Sequence, residues 1–158
     1  MSWRALAAAV FGGGLLVSPG LAERAGEGAS ALPVGVESIA RAKLGYALNC
    51  QGCHLSDGAG MGEKVPSMQG EVARWLSMPG GRSYLTRVPG VANAALTDAE
   101  LAEVMNWTLA TFDPDHIPAD FEPITADEIA EGRRQRLTTK AFDMRDEVKA
   151  NASRDQAL

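Results

Sequence analysis

The run Cys50-Gln51-Gly52-Cys53-His54 constrains this chain more than any other stretch, because five consecutive positions hold both of its cysteines and one of its two histidines. Thiols three positions apart, followed at once by an imidazole, form the pattern that attaches haem. The spacing follows from the chemistry. Each thiol adds across one vinyl group of the porphyrin, so the two sulfurs must reach neighbouring edges of a single flat ring. Two intervening residues in a helical turn suit that reach, and the next residue then turns its imidazole under the iron, which makes His54 the proximal ligand. Other uses of the pair fit less well. A zinc site wants four ligands, and the other histidine, His116, is far along the chain with no further cysteine to complete a set. A redox dithiol is fed by a strand of a parallel sheet, whereas a helix precedes Cys50. A structural disulfide would leave His54 without a role.

Residues 1–22 read as an export signal: Arg4, then an apolar stretch over 5–17, then small residues ending at Ala22. A membrane span needs about 20 apolar residues, and this stretch is shorter and contains Gly12-Gly13-Gly14. The expected location is therefore the periplasm, with no membrane span after cleavage. A formal net charge of -5 argues against a nucleic-acid partner. Hydrophobic residues make up 46% of the chain but aromatics only 6%, so a core of Ala, Leu and Val would be helped by a bulky apolar cofactor.

The expected fold class is all-α, a small helical domain around one covalent haem with a helical C-terminal tail. Residues 23–36 read as a flexible lead-in, 37–118 as the haem domain and 119–158 as a charged tail. Within the domain, Ile39, Ala42, Tyr46 and Ala47 fall on one face of a helix over 37–50. Glycines and Pro66 make 55–70 a loop, 71–78 a short helix stopped by Pro79-Gly80-Gly81, and the stretch to Leu96 irregular. Thr97 and Glu100 have capping-box spacing and Leu96 and Leu101 that of a hydrophobic staple. They open a helix with the stripe Leu101, Val104, Met105, Thr108 and Phe112, ended by Asp113-Pro114. A second capping box, Thr125 with Glu128, starts a helix from about Ala126 that breaks near Gly132 and resumes over 139–150. Its charge marks it as a solvated surface helix.

Over residues 37–112 the sequence resembles the class I cytochrome c family. The resemblance rests on Tyr46 four residues before Cys50, the haem motif, the loop Val65-Pro66-Ser67-Met68-Gln69-Gly70 and the last-helix segment Asn106-Trp107-Thr108-Leu109. Only the haem motif is highly specific. The resemblance implies that the first and last helices cross, with Ala42 or Gly45 giving the small surface on which Trp107 packs. It also implies a Met sulfur on the far side of the iron, and there the chain departs from the pattern. In Arg87-Val88-Pro89-Gly90, Val88 stands where a Met-Pro pair would be. Met78-Pro79 is the expected replacement, with Met78 as sixth ligand; Met68, Met61, Met105 and His116 are weaker alternatives, and an open sixth position is another. The family commonly anchors haem propionates with Arg, Tyr or Trp, for which Arg82, Tyr84 and Trp75 are the nearby donors; Arg82 and Arg87 read equally well as solvated loop charges.

With both axial positions filled by protein, such a chain would carry one electron at a time and would not be an enzyme. Its partners would be redox proteins: a dehydrogenase as donor, an oxidase or membrane complex as acceptor. Two other readings stay open at this point. One is a five-coordinate haem that binds small gases or peroxide. The other is the haem subunit of a larger complex, docked through the tail by Phe142 and Val148.

Overall fold

The computed structural model describes residues 31–62 and 64–155. The expected signal over 1–22 and most of the lead-in lie outside these residues. Seven α-helices follow in order: α1 (Ile39–Asn49), α2 (Gln51–His54), α3 (Gly81–Arg87), α4 (Pro89–Ala92), α5 (Asp98–Phe112), α6 (Ala126–Arg134) and α7 (Ala141–Asp155). Among the described residues the only β pairing is a single bridge, Met61 with Val65. No described helix is long and apolar enough to cross a membrane.

The centre of the fold is α5. Both halves of its capping box form: the Thr97 side chain accepts from the Glu100 N–H and the Glu100 carboxylate accepts from the Thr97 N–H. The sequence stripe marks one face, yet every residue from Leu101 to Leu109 is buried. Such all-round burial means that other elements cover α5 on more than one side. One side carries α1 and another α6. At the α1 crossing a Cβ on Gly45 would lie 2.6 Å from Val104 Cγ2, so glycine there sets how closely the helices approach. Glu103, on α5, accepts the N–H groups of Glu37 (2.9 Å) and Ser38 (2.7 Å) and the Nε–H of Arg41 (2.6 Å). One carboxylate thus serves orphan donors at the start of α1 from across the crossing.

Two apolar clusters result. Val36, Ala42, Tyr46, Val104 and Trp107 fill the α1 side. A larger cluster joins Trp75, Tyr84, Leu85, Leu101, Met105, Leu109, Ile129, Leu137 and Val148 from elements on both sides of α5 in sequence.

The structure departs from the sequence reading in two places. The stretch expected to be irregular before Leu96 holds α3 and α4. Gly80 adopts a left-handed conformation (φ +79°) as the N-cap of α3, so the three residues read as a stop signal also start a helix. The tail is also less solvated than its charge suggested. Ile129 is fully buried, and α6 runs two residues past Gly132. A Cβ on Gly132 would lie 2.5 Å from the Thr86 carbonyl oxygen, so this glycine marks the contact of α6 with α3, and the expected break follows it at 135–140.

Candidate functional site

The haem motif begins where α1 ends. Cys50 N–H donates to the Tyr46 carbonyl at 2.8 Å, and the chain then turns into α2, where the N–H groups of Cys53 (3.1 Å) and His54 (2.9 Å) both donate to the Cys50 carbonyl. These bonds put both cysteines and the histidine in one helical turn, as the spacing requires. Leu55 ends the turn at φ 59°, ψ 174°, a region that residues other than glycine rarely occupy. The Tyr46 hydroxyl donates to the carbonyls of Leu55 at 2.7 Å and His54 at 3.4 Å, tying α1 to this corner. Burial pushes the Tyr46 phenol up to about 12, so it stays a donor at any ordinary pH.

The glycine-rich loop folds back under the motif. Gly60 N–H donates to the His54 carbonyl at 3.3 Å, and Met68 N–H to the Gly58 carbonyl at 2.8 Å. At Gly60 (φ +76°) a Cβ would fall 2.3 Å from the Val65 carbonyl oxygen, which leaves glycine as the residue the loop can close on.

No disulfide joins the two cysteines, Cys50 partly buried and Cys53 exposed. Burial first, and the neighbouring Cys53 second, push the Cys50 thiol up to about 11, so it is a protonated thiol at neutral pH. Burial holds the His54 imidazole below its ordinary 6.5, and the Pro66 carbonyl acts in the opposite sense. The ring is therefore neutral at pH 7, the form that ligates metal. Its Nδ1 is buried and makes no hydrogen bond of good geometry. Among the described residues no three His, Cys, Asp or Glu side chains converge as a metal cluster. A porphyrin supplies four of its own ligands, so one neutral imidazole beside two thiols fits a haem.

Other residues singled out in the sequence are dispersed. Met68 and Cys50 each pack against the α1-side cluster, while Met78 and Val88 pack against the larger one. Met61 is exposed and Met105 lies buried on α5. His116 Nδ1 pairs with Asp113 Oδ1, and the other oxygen of Asp113 accepts the Ala73 N–H at 2.7 Å. Trp107 and Phe112 gather around Tyr46, with ring centroids 5.3 and 5.2 Å from it, Ala42 belongs to the same cluster as Trp107, and Gly45 meets Val104.

The two arginines are not free loop charges: each has acceptors within the chain. Arg82 binds both carboxylate oxygens of Glu128 and the carbonyls of Glu122 and Pro123. Arg87 donates to the Gln135 carbonyl at 2.9 Å. Tyr84 and Trp75 stack on each other at 4.5 Å, with the Lys149 ammonium 5.7 Å from the Trp75 ring centroid. Val148 is buried against this chain's own core, which removes it as a docking residue; Phe142 stays about half exposed with Arg145 over its ring.

Sequence reasoning missed Glu103 and Asp113, each a buried carboxylate whose acceptor role depends on N–H groups more than 35 positions away. The only sequence signal was their charge on or beside an apolar helix.

No family model matches the chain. It is similar to cytochrome c-552 of Thermus thermophilus, 32% identical over 107 residues that take in 56% of this chain and 82% of that protein. It is equally similar to a second cytochrome c-552 of Thermus thermophilus, again 32% identical over 107 residues, with 72% of that protein covered. Most of each relative's length is matched, on an all-helical fold with a haem motif closing its first helix. The chain belongs to the class I c-type cytochrome family.

Proposed function

We propose that this chain is an exported one-electron carrier holding a single haem c by thioether bonds to Cys50 and Cys53, with His54 as proximal ligand and Met78 as sixth. The observation that carries the reading is the turn itself: two cysteines not joined to each other and a neutral, half-buried imidazole, brought together in one turn by the bonds to the Cys50 carbonyl. When bound, the haem supplies a reversible one-electron couple. The chain's own residues do the rest. Cys50, where α1 meets α2, and Cys53 on α2 would hold the ring, each S–H adding across one vinyl double bond, sulfur to one carbon and hydrogen to the other, with no net oxidation. Tyr46 and the Gly60 N–H hold the His54 backbone. Donor and acceptor would be a periplasmic dehydrogenase and an oxidase or membrane complex, docking briefly through charge-steered surfaces.

A second reading, a five-coordinate haem binding small gases or peroxide, is favoured by one observation. Val88, at the family's ligand position, cannot bind iron, and the Met78 side chain already packs with the cluster of Trp75 and Tyr84. The absorption spectrum of the purified holoprotein separates the two. A low-spin spectrum with a weak far-red band, lost in Met78→Ala, and no response of the reduced protein to carbon monoxide is the result expected of the carrier. A high-spin spectrum that shifts at once with carbon monoxide overturns Met78 as ligand. Haem that acidified organic solvent extracts from the denatured protein overturns the thioethers.

A further inference from the structure

A cavity of about 520 Å³ opens between the end of α4 and the end of α6, lined by Ala92, Asn93, Ala94, Arg133, Arg134 and Arg136. Its lining holds three arginines and an asparagine and no acidic residue, in a chain whose formal net charge is -5. Helix chemistry accounts for part of this, since Arg133 and Arg134 lie in the last turn of α6, where cations complement the carbonyl end. It does not account for Arg136, which lies beyond the helix, is exposed, and has no ion-pair partner among the described residues.

The three arginines differ in how they are held. Arg133 is a fixed wall: its Nη2 donates to the carbonyls of Ala94 (3.0 Å) and Leu96 (2.7 Å), and its Nη1 pairs with Asp98 at 2.8 Å. Its Nε is buried and has no hydrogen-bond partner. Arg134 pairs with Glu131 on the surface, an exposed ion pair of the kind that exchanges readily with solvent or another anion. The Arg134 guanidinium fork is engaged by Glu131 through Nε and Nη2, while the Arg136 fork has no ion-pair partner among the described residues. Such forks match the two oxygens of a carboxylate or phosphate.

We propose that this cavity is a binding site for an oxyanionic group, a carboxylate or a phosphate. Asn93, which caps the end of α4, adds a neutral polar side chain to a wall otherwise made of alanines and arginines. The site assembles only in the folded chain, because α4 and α6 bring its two halves together. It stands apart from the haem motif, so it survives or fails independently of the carrier reading.

The test is an NMR titration of the isotope-labelled full-length holoprotein at ionic strength held constant with sodium chloride. One arm adds sodium phosphate and the other hexaglutamate, with the Asn93 and Ala94 backbone signals as readout. The expected result is a saturable shift with at least one probe, weakened about tenfold or more in the double variant Arg134→Ser, Arg136→Ser. That variant keeps Arg133 and its three attachments, and its circular dichroism and urea midpoint verify that it is folded. Saturation by phosphate assigns a free oxyanion; saturation by hexaglutamate alone assigns acidic side chains of a partner surface. No saturable response to either probe, or an equal response in the folded variant, overturns the proposal.

Discussion

Arg82 and Glu128 meet through two N–H···O bonds, Nε to Oε1 at 2.6 Å and Nη2 to Oε2 at 2.9 Å, which fasten α3 to the first turn of α6. Two further Arg82 contacts reach the Glu122 and Pro123 carbonyls, so one side chain serves four acceptors. Replacing Arg82 with Ala should cost about 2 kcal/mol, the scale of hydrogen bonds to charged groups. Lysine should recover little of this, since a single ammonium cannot span the carboxylate fork. Urea unfolding of the holoprotein measures both, and a variant within error of the parent refutes the assignment.

Acid should weaken the fold through the same residues. The Arg82 guanidinium holds the Glu128 carboxyl below its ordinary 4.5. At Glu103 burial pushes upward, but the Arg41 guanidinium and the Ser38 and Glu37 N–H groups outweigh it, and the net direction is again down. A carboxyl whose folded value is depressed contributes stability that is complete above its unfolded value and is lost as pH falls through the folded one. These two carboxyls should therefore add a loss of stability that sets in below about pH 4.5, shallower in Glu128→Gln. Urea midpoints at a series of pH values read this directly.

Gly132→Ala tests the α3–α6 contact. Alanine favours helix over glycine by about 1 kcal/mol on an exposed face. Here the new methyl would meet the Thr86 carbonyl oxygen at 2.5 Å, and overpacking of this kind costs about 1–3 kcal/mol. Net destabilisation is the expected sign; a gain in stability would mean that α6 is free to move off α3.

Truncation after Lys140 removes α7 and with it the burial of Val148 and Ala152. Loss of one buried valine and its neighbours should cost about 2 kcal/mol. Hydrogen exchange should quicken in α3, against which α7 packs, while α1 and the haem motif keep their protection. Equal protection in α3 with and without α7 would show that the tail contributes no cover.

Much of the architecture was readable where the signal is local. The capping boxes of Thr97 and Thr125 both form because each depends on residues three apart. Helix α3 was missed for a related reason. Pro79-Gly80-Gly81 suits a stop as well as a left-handed N-cap, and Gly81 is needed because a Cβ would sit 2.0 Å from the Trp75 carbonyl oxygen, a contact no local pattern contains.

By itself the sequence determined the haem motif, the helical class and the caps, because thiol spacing, hydrophobic period and hydrogen-bonding side chains act over a few residues. The tertiary structure alone decided where the isolated charges go. Arg82 turned to Glu128, Glu103 to the start of α1 and Asp113 to Ala73 because a buried or half-buried charge must find partners wherever the folded chain brings them.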